Sequence, residues 1–168
     1  MPTEALRAQK TERESSPPAL LGPAEVLALV PQRPPFRFID EIVELDPGRI
    51  VGRYRFREDE YFYAGHFPGE PITPGVILIE AMGQTALVAF GIYLAHGLGR
   101  GDLDRVRTIF TEAQVEFLDR VRPGETVTIT ARKIYFRKLK LKVEVVMTGA
   151  DGTPVCAGEL AGIGVEIK

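Results

Sequence analysis

The chain has 168 residues, of which 45% are hydrophobic and 26% charged, and this balance is typical of a single globular domain. Its only cysteine, Cys156, excludes an intrachain disulfide framework and a cysteine-rich zinc site. The formal net charge of -2 argues against a dedicated nucleic-acid-binding protein, whose binding domain would be strongly basic.

Residues 1–22 are predicted to form a flexible tail, because they mix charges of both signs with prolines. They lack the continuous apolar stretch of a secretory signal, so we expect a cytoplasmic protein. The domain is then predicted to span residues 23–168. It opens with a short helix over Pro23–Val30, since Pro23 fits a first helical turn and the apolar residues after it follow helical spacing.

A β-hairpin is predicted between Phe36 and Phe56. Two extended segments flank the turn sequence DPGR at 46–49, and the second segment alternates apolar with polar residues.

The segment Val76–Ala95 is apolar on nearly all sides, with Glu80 and Gln84 among its few polar residues. As a membrane span it would place a carboxylate one turn inside the bilayer, at a cost of about 2.5 to 3.5 kcal/mol at the centre, with no basic flank to set its orientation. The strands predicted downstream need an apolar partner instead. We therefore predict no membrane span but a buried central helix over Gly75–Gly97, roughly 34 Å long.

Four strands are predicted after this helix, over residues 107–118, 125–136, 139–147 and 154–167. The third has the clearest pattern, because apolar residues alternate strictly with lysine and glutamate. One long helix against one antiparallel sheet places the chain in the α+β class, without the alternating βαβ units of a parallel sheet.

The segment GHFPGEPITPGV at 65–76 leads directly into the central helix and carries three prolines. Prolines restrict the backbone, and a stiff loop favours the accurate positioning of a side chain, here His66. The other histidine, His96, lies in the last predicted helical turn, where its interaction with the helix dipole is sufficient explanation.

Glu80 lies about 7.5 Å along the axis from the helix start, on an otherwise aliphatic face. A carboxylate there is costly unless it is paired or protonated, and Gln84 one turn later can donate a hydrogen bond to it. The free N–H groups at Gly75 and Val76, with the positive end of the helix dipole, can bind an oxyanion or a polarised carbonyl. A base, an acid and an oxyanion donor in one short segment predict a catalytic site.

The string GHFPGEPITPGVILIEAMGQ at 65–84 resembles the signature of the (3R)-hydroxyacyl-acyl carrier protein dehydratases of type II fatty-acid synthesis. Residues 31–40 and 122–125 also resemble that family, so the likeness covers about residues 24–166. The resemblance implies a single hotdog domain, in which a long central helix is wrapped by an antiparallel sheet. It also implies that the chain forms a homodimer, or a dimer of dimers or trimer of dimers, with histidine and carboxylate meeting across a two-fold interface.

By this resemblance His66 is the catalytic histidine, Glu80 the catalytic carboxylate and the Gly75 amide the donor to the thioester carbonyl. Phe67, Val76 and Gln84 are assigned to substrate binding beside them. The implied reaction eliminates water from an acyl chain carried on the phosphopantetheine arm of acyl carrier protein, and it requires no metal and no other cofactor. Related enzymes that also move the double bond usually carry aspartate at the position of Glu80, so the glutamate favours plain dehydration.

Three positions depart from the family pattern. Gln32 replaces a common histidine, Arg37 replaces an aliphatic residue and Gly83 replaces alanine. None belongs to the catalytic pair. Gly83 is expected on the Glu80 side of the helix, where a change of volume would alter the shape of the acyl tunnel.

Residues 120–142 carry eight basic side chains and one acidic one. The resemblance implies an acidic acyl carrier protein as partner, and such a segment would attract it. The alternative is that these lysines and arginines keep the outer face of the sheet soluble and prevent edge pairing. The candidate docking residues are Arg120, Arg122, Arg132, Lys133 and Lys138.

Two other functions are compatible with a hotdog domain. An acyl thioesterase would hydrolyse the thioester without forming an enoyl product. A non-catalytic subunit that binds acyl carrier protein need not keep His66 and Glu80 together, so their joint presence weighs against it.

Overall fold

A computed structural model of the chain describes residues 19–168. The tail predicted for residues 1–22 therefore lies largely outside the described residues. Its last four residues contact the domain, since the His96 side chain donates a hydrogen bond to the Ala19 carbonyl at 3.0 Å and the Gly22 amide donates to Glu25 at 2.7 Å. The packed part of the chain thus begins a few residues before Pro23.

The predicted elements are present in the predicted order. Two helices and six strands make up the domain, with a short 3₁₀ turn over Leu103–Arg105: α1 (Pro23–Leu29), β1 (Glu41–Asp46), β2 (Arg49–Arg55), α2 (Gly75–Gly97), β3 (Val106–Phe117), β4 (Thr126–Arg137), β5 (Lys140–Thr148) and β6 (Pro154–Glu166).

The strands form one antiparallel sheet in the order β1-β2-β4-β5-β6-β3. Strand β5 shows why this sheet has two faces, because Val143 and Val145 are buried whereas Glu144 between them is exposed. The inner face packs on α2, so the sheet wraps the helix, and the α+β prediction is confirmed.

The central helix α2 spans the predicted residues but is not uniform. Its middle, Gln84–Ala89, is π-helical, and every residue of that stretch is buried. By length and hydropathy α2 would be able to cross a membrane, yet 72% of its most apolar window is buried inside the protein. Its apolar surface is therefore explained by the sheet that covers it.

The two edges of the sheet differ. Strand β1 has a bulge between Ile42 and Glu44 and packs against α1. Strand β3, at the other edge, leaves Ile109 and Phe117 about half exposed. An edge strand with exposed apolar side chains offers unpaired backbone groups to another strand.

Candidate active site

His66 lies at the base of a tight loop. The Glu70 amide donates to the Phe67 carbonyl at 3.0 Å, with a proline second and Gly69 third in the turn. Gly69 has φ +76°, which the third position of a type II turn requires and which glycine adopts without strain. The Ile72 amide then donates to the His66 carbonyl at 3.0 Å, so the loop returns to its starting residue.

The His66 ring is held in one orientation. Its Nδ1 atom lies 2.8 Å from the Ile72 carbonyl oxygen, and the Phe67 ring stacks on it with a centroid distance of 4.0 Å. A carbonyl oxygen only accepts, so Nδ1 carries the hydrogen. In the neutral imidazole the lone pair is then on Nε2, which is the arrangement a general base needs.

The start of α2 presents free backbone N–H groups. The first helical hydrogen bonds run from Ile77 and Leu78 to the Pro74 carbonyl, at 2.9 and 3.2 Å, so the N–H groups of Gly75 and Val76 precede them. A Cβ atom added at Gly75 would lie 3.1 Å from the ring of Phe117, which packs over this helix end. The site for an oxyanion expected from the sequence is therefore flanked by an aromatic side chain.

Glu80 is half-buried, and Gln84 holds it as the helical spacing predicts. Gln84 Nε2 donates to Glu80 Oε1 at 2.9 Å. The amide of Gln84 is itself fixed, because its oxygen accepts from the Phe38 backbone at 2.6 Å and its nitrogen also donates to the Phe36 carbonyl at 3.0 Å. One carboxylate oxygen is thus bound to Gln84, and the other has no hydrogen-bond partner among the described residues.

Burial raises the pKa of the Glu80 carboxyl, and the hydrogen bond from Gln84 opposes part of that rise because it favours the charged form. A carboxyl group that must donate a proton acts only while protonated. The rate of a reaction that needs a proton from Glu80 is therefore expected to fall as the pH rises through this elevated pKa.

Replacement of Gln84 tests this dependence. Gln84→Leu removes the bond that lowers the pKa of Glu80, so the basic limb of kcat/KM is expected to move to higher pH, measured as a full pH–rate profile. Thr85→Val is the matched control, because Thr85 is the next buried residue of α2 and its hydroxyl has no hydrogen-bond partner among the described residues. An unchanged basic limb in Gln84→Leu would contradict the assignment of that limb to Glu80.

Within one chain, His66 and Glu80 belong to separate hydrogen-bond systems. His66 bonds to Ile72 and Glu80 bonds to Gln84, and no hydrogen bond joins the two groups in the described part of the chain. Each of the two groups predicted to act together is therefore held by its own hydrogen bond, His66 to Ile72 and Glu80 to Gln84.

The remaining predicted substrate-binding residues lie at the surface beside the helix start. Phe67 is 50% exposed and Val76 is 73% exposed. At Gly83 an added Cβ atom would lie 2.4 Å from the Phe110 ring. Phe110 of β3 occupies the space that an alanine would need, so the glycine lets this ring pack closely on the helix.

The five basic residues proposed for docking do not form one surface. Arg120 and Arg122 flank Val121, whose carbonyl accepts from the Thr73 amide at 2.9 Å, so they lie beside the loop of His66. Lys138 lies in the turn beyond the far end of β4, which has 12 residues and spans about 40 Å when extended.

The other two docking candidates lie along β4 itself. Arg132 pairs in register with Glu144 of β5, and the Lys133 amide donates to the Gly48 carbonyl at 2.9 Å. Arg132 therefore has an acidic neighbour within the sheet, and Asp119 and Glu125 likewise accept hydrogen bonds from the amides of Arg120 and Arg122.

Three parts of the site have no signal in the sequence. The Ile72 carbonyl that orients His66 is a backbone group, and the Phe36 and Phe38 backbone groups that fix Gln84 are 48 and 46 residues away from it along the chain. A buried hydrogen bond of 2.6 Å between the hydroxyls of Tyr63 and Thr73 is the third.

The sequence of the chain is similar to a known family and to several curated proteins. Residues 30–160 match the family model described as a FabA-like domain. The chain is 36% identical over 143 residues to the 3-hydroxyacyl-[acyl-carrier-protein] dehydratase FabZ of Acetivibrio thermocellus, covering 84% of this chain and 92% of that protein. It is 38% identical over 146 residues to the FabZ of Roseiflexus castenholzii, covering 84% and 94%.

Solved structures extend the likeness in fold. A hypothetical thioesterase with coenzyme A from Streptococcus pneumoniae superposes with a TM-score of 0.52 and 14% identity, over 76% of this chain and 87% of that one. A mutant thioesterase from Pseudomonas aeruginosa gives 0.53 and 16%, over 76% and 81%. At such low identity these structures speak for the fold alone, and they confirm the hotdog architecture.

Proposed function

The chain belongs to the FabA-like domain family, beside its 3-hydroxyacyl-[acyl-carrier-protein] dehydratases, and from this membership we propose how its residues perform a dehydration. The enzyme is a hydro-lyase of fatty-acid synthesis that removes water from (3R)-3-hydroxyacyl thioesters of acyl carrier protein and leaves the trans-2-enoyl thioester. The observation that carries the residue assignment is the bond from His66 Nδ1 to Ile72, three residues before α2, which leaves Nε2 free to act as a base.

In the proposed reaction, His66 Nε2 removes a proton from the carbon next to the thioester carbonyl. The electrons of that C–H bond form the new double bond, and the bond between the next carbon and its hydroxyl breaks. The protonated Glu80 gives its proton to the departing hydroxyl, so water leaves. The Gly75 N–H and the helix dipole stabilise the negative charge that develops on the carbonyl oxygen.

Acid–base chemistry of this kind needs two proton-transfer groups and an oxyanion donor. We propose that the enzyme works without a metal or redox cofactor, since His66, Glu80 and the Gly75 amide supply all three. The substrate arrives on the phosphopantetheine arm of its carrier, and we assign the enzyme to the cytoplasm with that carrier.

A homodimer is proposed to complete the site. The apolar side chains of Val76, Phe117 and Leu118 are 73%, 48% and 52% exposed around the helix start, next to the free edge of β3. A second copy that paired along β3 would cover this surface and satisfy the edge. We propose that it would also bring Glu80 of the second chain to His66 of the first.

Thioester hydrolysis is the second candidate, because a hotdog acyl thioesterase would act on the same thioester bond without forming an enoyl product. Incubation with 3-hydroxyacyl carrier proteins of several chain lengths distinguishes the two reactions by mass. Dehydration lowers the mass of the acyl carrier protein by one water and keeps the thioester. Release of the free acid without loss of water would overturn the proposal.

We place the carrier-docking surface at Arg120 and Arg122, because they flank the residue that anchors the loop of His66. The double variant Arg120→Glu/Arg122→Glu is expected to raise KM for carrier-linked substrate about tenfold at low salt and to weaken its salt dependence, with little effect on a short soluble thioester. Lys138→Glu, at the far end of β4, is the matched control. Equal losses in both variants, or on both substrates, would contradict this surface.

A further inference from the structure

Tyr63 and Thr73 form a hydrogen bond between two side chains that the reaction does not touch. Tyr63 lies three residues before His66 and is 5% exposed, and Thr73 lies just after the loop and is 3% exposed. Their hydroxyl oxygens are 2.6 Å apart. The bond therefore closes the loop that carries His66, from residue 63 to residue 73, inside the protein.

Thr73 is the connection between the two catalytic elements. On one side lies Ile72, whose carbonyl accepts a hydrogen bond from His66 Nδ1 and whose amide donates one to the His66 carbonyl. On the other side Pro74 accepts the first hydrogen bonds of α2, and Gly75 follows at the oxyanion site. The backbone of Thr73 is itself anchored, through its amide, to the Val121 carbonyl at 2.9 Å. A movement of Thr73 would change the position of the base relative to the oxyanion donor.

We propose that Tyr63 and Thr73 are positioning residues, whose buried hydrogen bond sets the position of His66 relative to the Gly75 amide. This inference rests on the proposed dehydration and deepens it. A small displacement of a base from the carbon that it deprotonates lowers the rate of the chemical step, whereas binding of the carrier and acyl chain involves other surfaces. The bond should therefore affect kcat and leave KM nearly unchanged.

The effect of this bond on stability can be separated from its effect on the position of His66, because the Tyr63 and Thr73 hydroxyls are each other's hydrogen-bond partners. Tyr63→Phe or Thr73→Val alone leaves a buried hydroxyl without a partner, which lowers stability. The double variant Tyr63→Phe/Thr73→Val removes both hydroxyls, so it is expected to recover most of the melting temperature. It still lacks the bond that holds the loop.

The test compares these variants by steady-state kinetics and thermal unfolding. Each single variant and the double variant are expected to lower kcat about tenfold with KM within about twofold of wild type. Thr73→Ser keeps the hydroxyl and is expected to retain nearly full kcat. Tyr93→Phe is the matched control, since Tyr93 is a buried tyrosine of α2 about 27 Å along the helix from Gly75. Full kcat in the double variant would overturn the proposal, because the bond would then serve stability alone.

Amide hydrogen exchange gives a readout that does not depend on turnover. The Ile72 amide, which donates to the His66 carbonyl, is expected to exchange faster in Tyr63→Phe and in the double variant than in wild type. Unchanged exchange would overturn the proposal whether or not the chain dehydrates its substrate. An absence of water loss in the wild type would instead refute the proposed function.

Discussion

His66→Ala and Glu80→Gln are each expected to lower kcat for 3-hydroxyacyl carrier protein by about 10² to 10⁴ while the fold persists. His66→Ala removes the imidazole that we propose as the base. Glu80→Gln keeps an oxygen that accepts from Gln84 but has no proton to give to the departing hydroxyl. The kcat of each variant is measured by enoyl formation, and circular dichroism shows whether the fold persists.

The second histidine of the chain provides the control. His96 lies near the end of α2, where its side chain donates to the Ala19 carbonyl. His96→Ala is expected to keep near wild-type kcat. Near wild-type turnover in His66→Ala or Glu80→Gln, with a normal circular dichroism spectrum, would show that the assigned role is wrong.

The elements of this fold were predictable because their signals are local. The alternation around Val143 and Val145 specifies a strand with one buried face, and DPGR at 46–49 specifies a turn. His66 and Glu80 stand out in the sequence as candidates for a related reason. A histidine in a proline-rich loop and a carboxylate on an aliphatic helix face are not explained by the packing of the core. Such residues are therefore candidates for a functional site.

The departures from prediction have a physical cause as well. An all-apolar helix gives no periodicity from which to place the π-helical stretch over Gln84–Ala89. Contacts between distant segments, such as the Phe38 amide with Gln84, depend on the folded topology. The basic segment over 120–142 is a cluster in sequence only, because β4 is extended and carries its two ends far apart.

An equal mixture of refolded His66→Ala and Glu80→Ala chains is expected to regain about a quarter of wild-type activity. The reason is that a homodimer would join His66 of one chain to Glu80 of the other. Half of the dimers are mixed under random pairing, and each mixed dimer then has one site with both groups and one with neither. An equal mixture of His66→Ala with the double variant His66→Ala/Glu80→Ala is the matched control, since no pairing of those chains restores a histidine.

This mixing measurement tests most directly the claim that His66 and Glu80 act on one substrate as a base and acid drawn from two chains. Two parents that are each nearly inactive would give about a quarter of wild-type enoyl formation together, while the control mixture stays inactive. A mixture as inactive as its parents, under conditions in which the wild-type chain refolds to full activity, would contradict the claim.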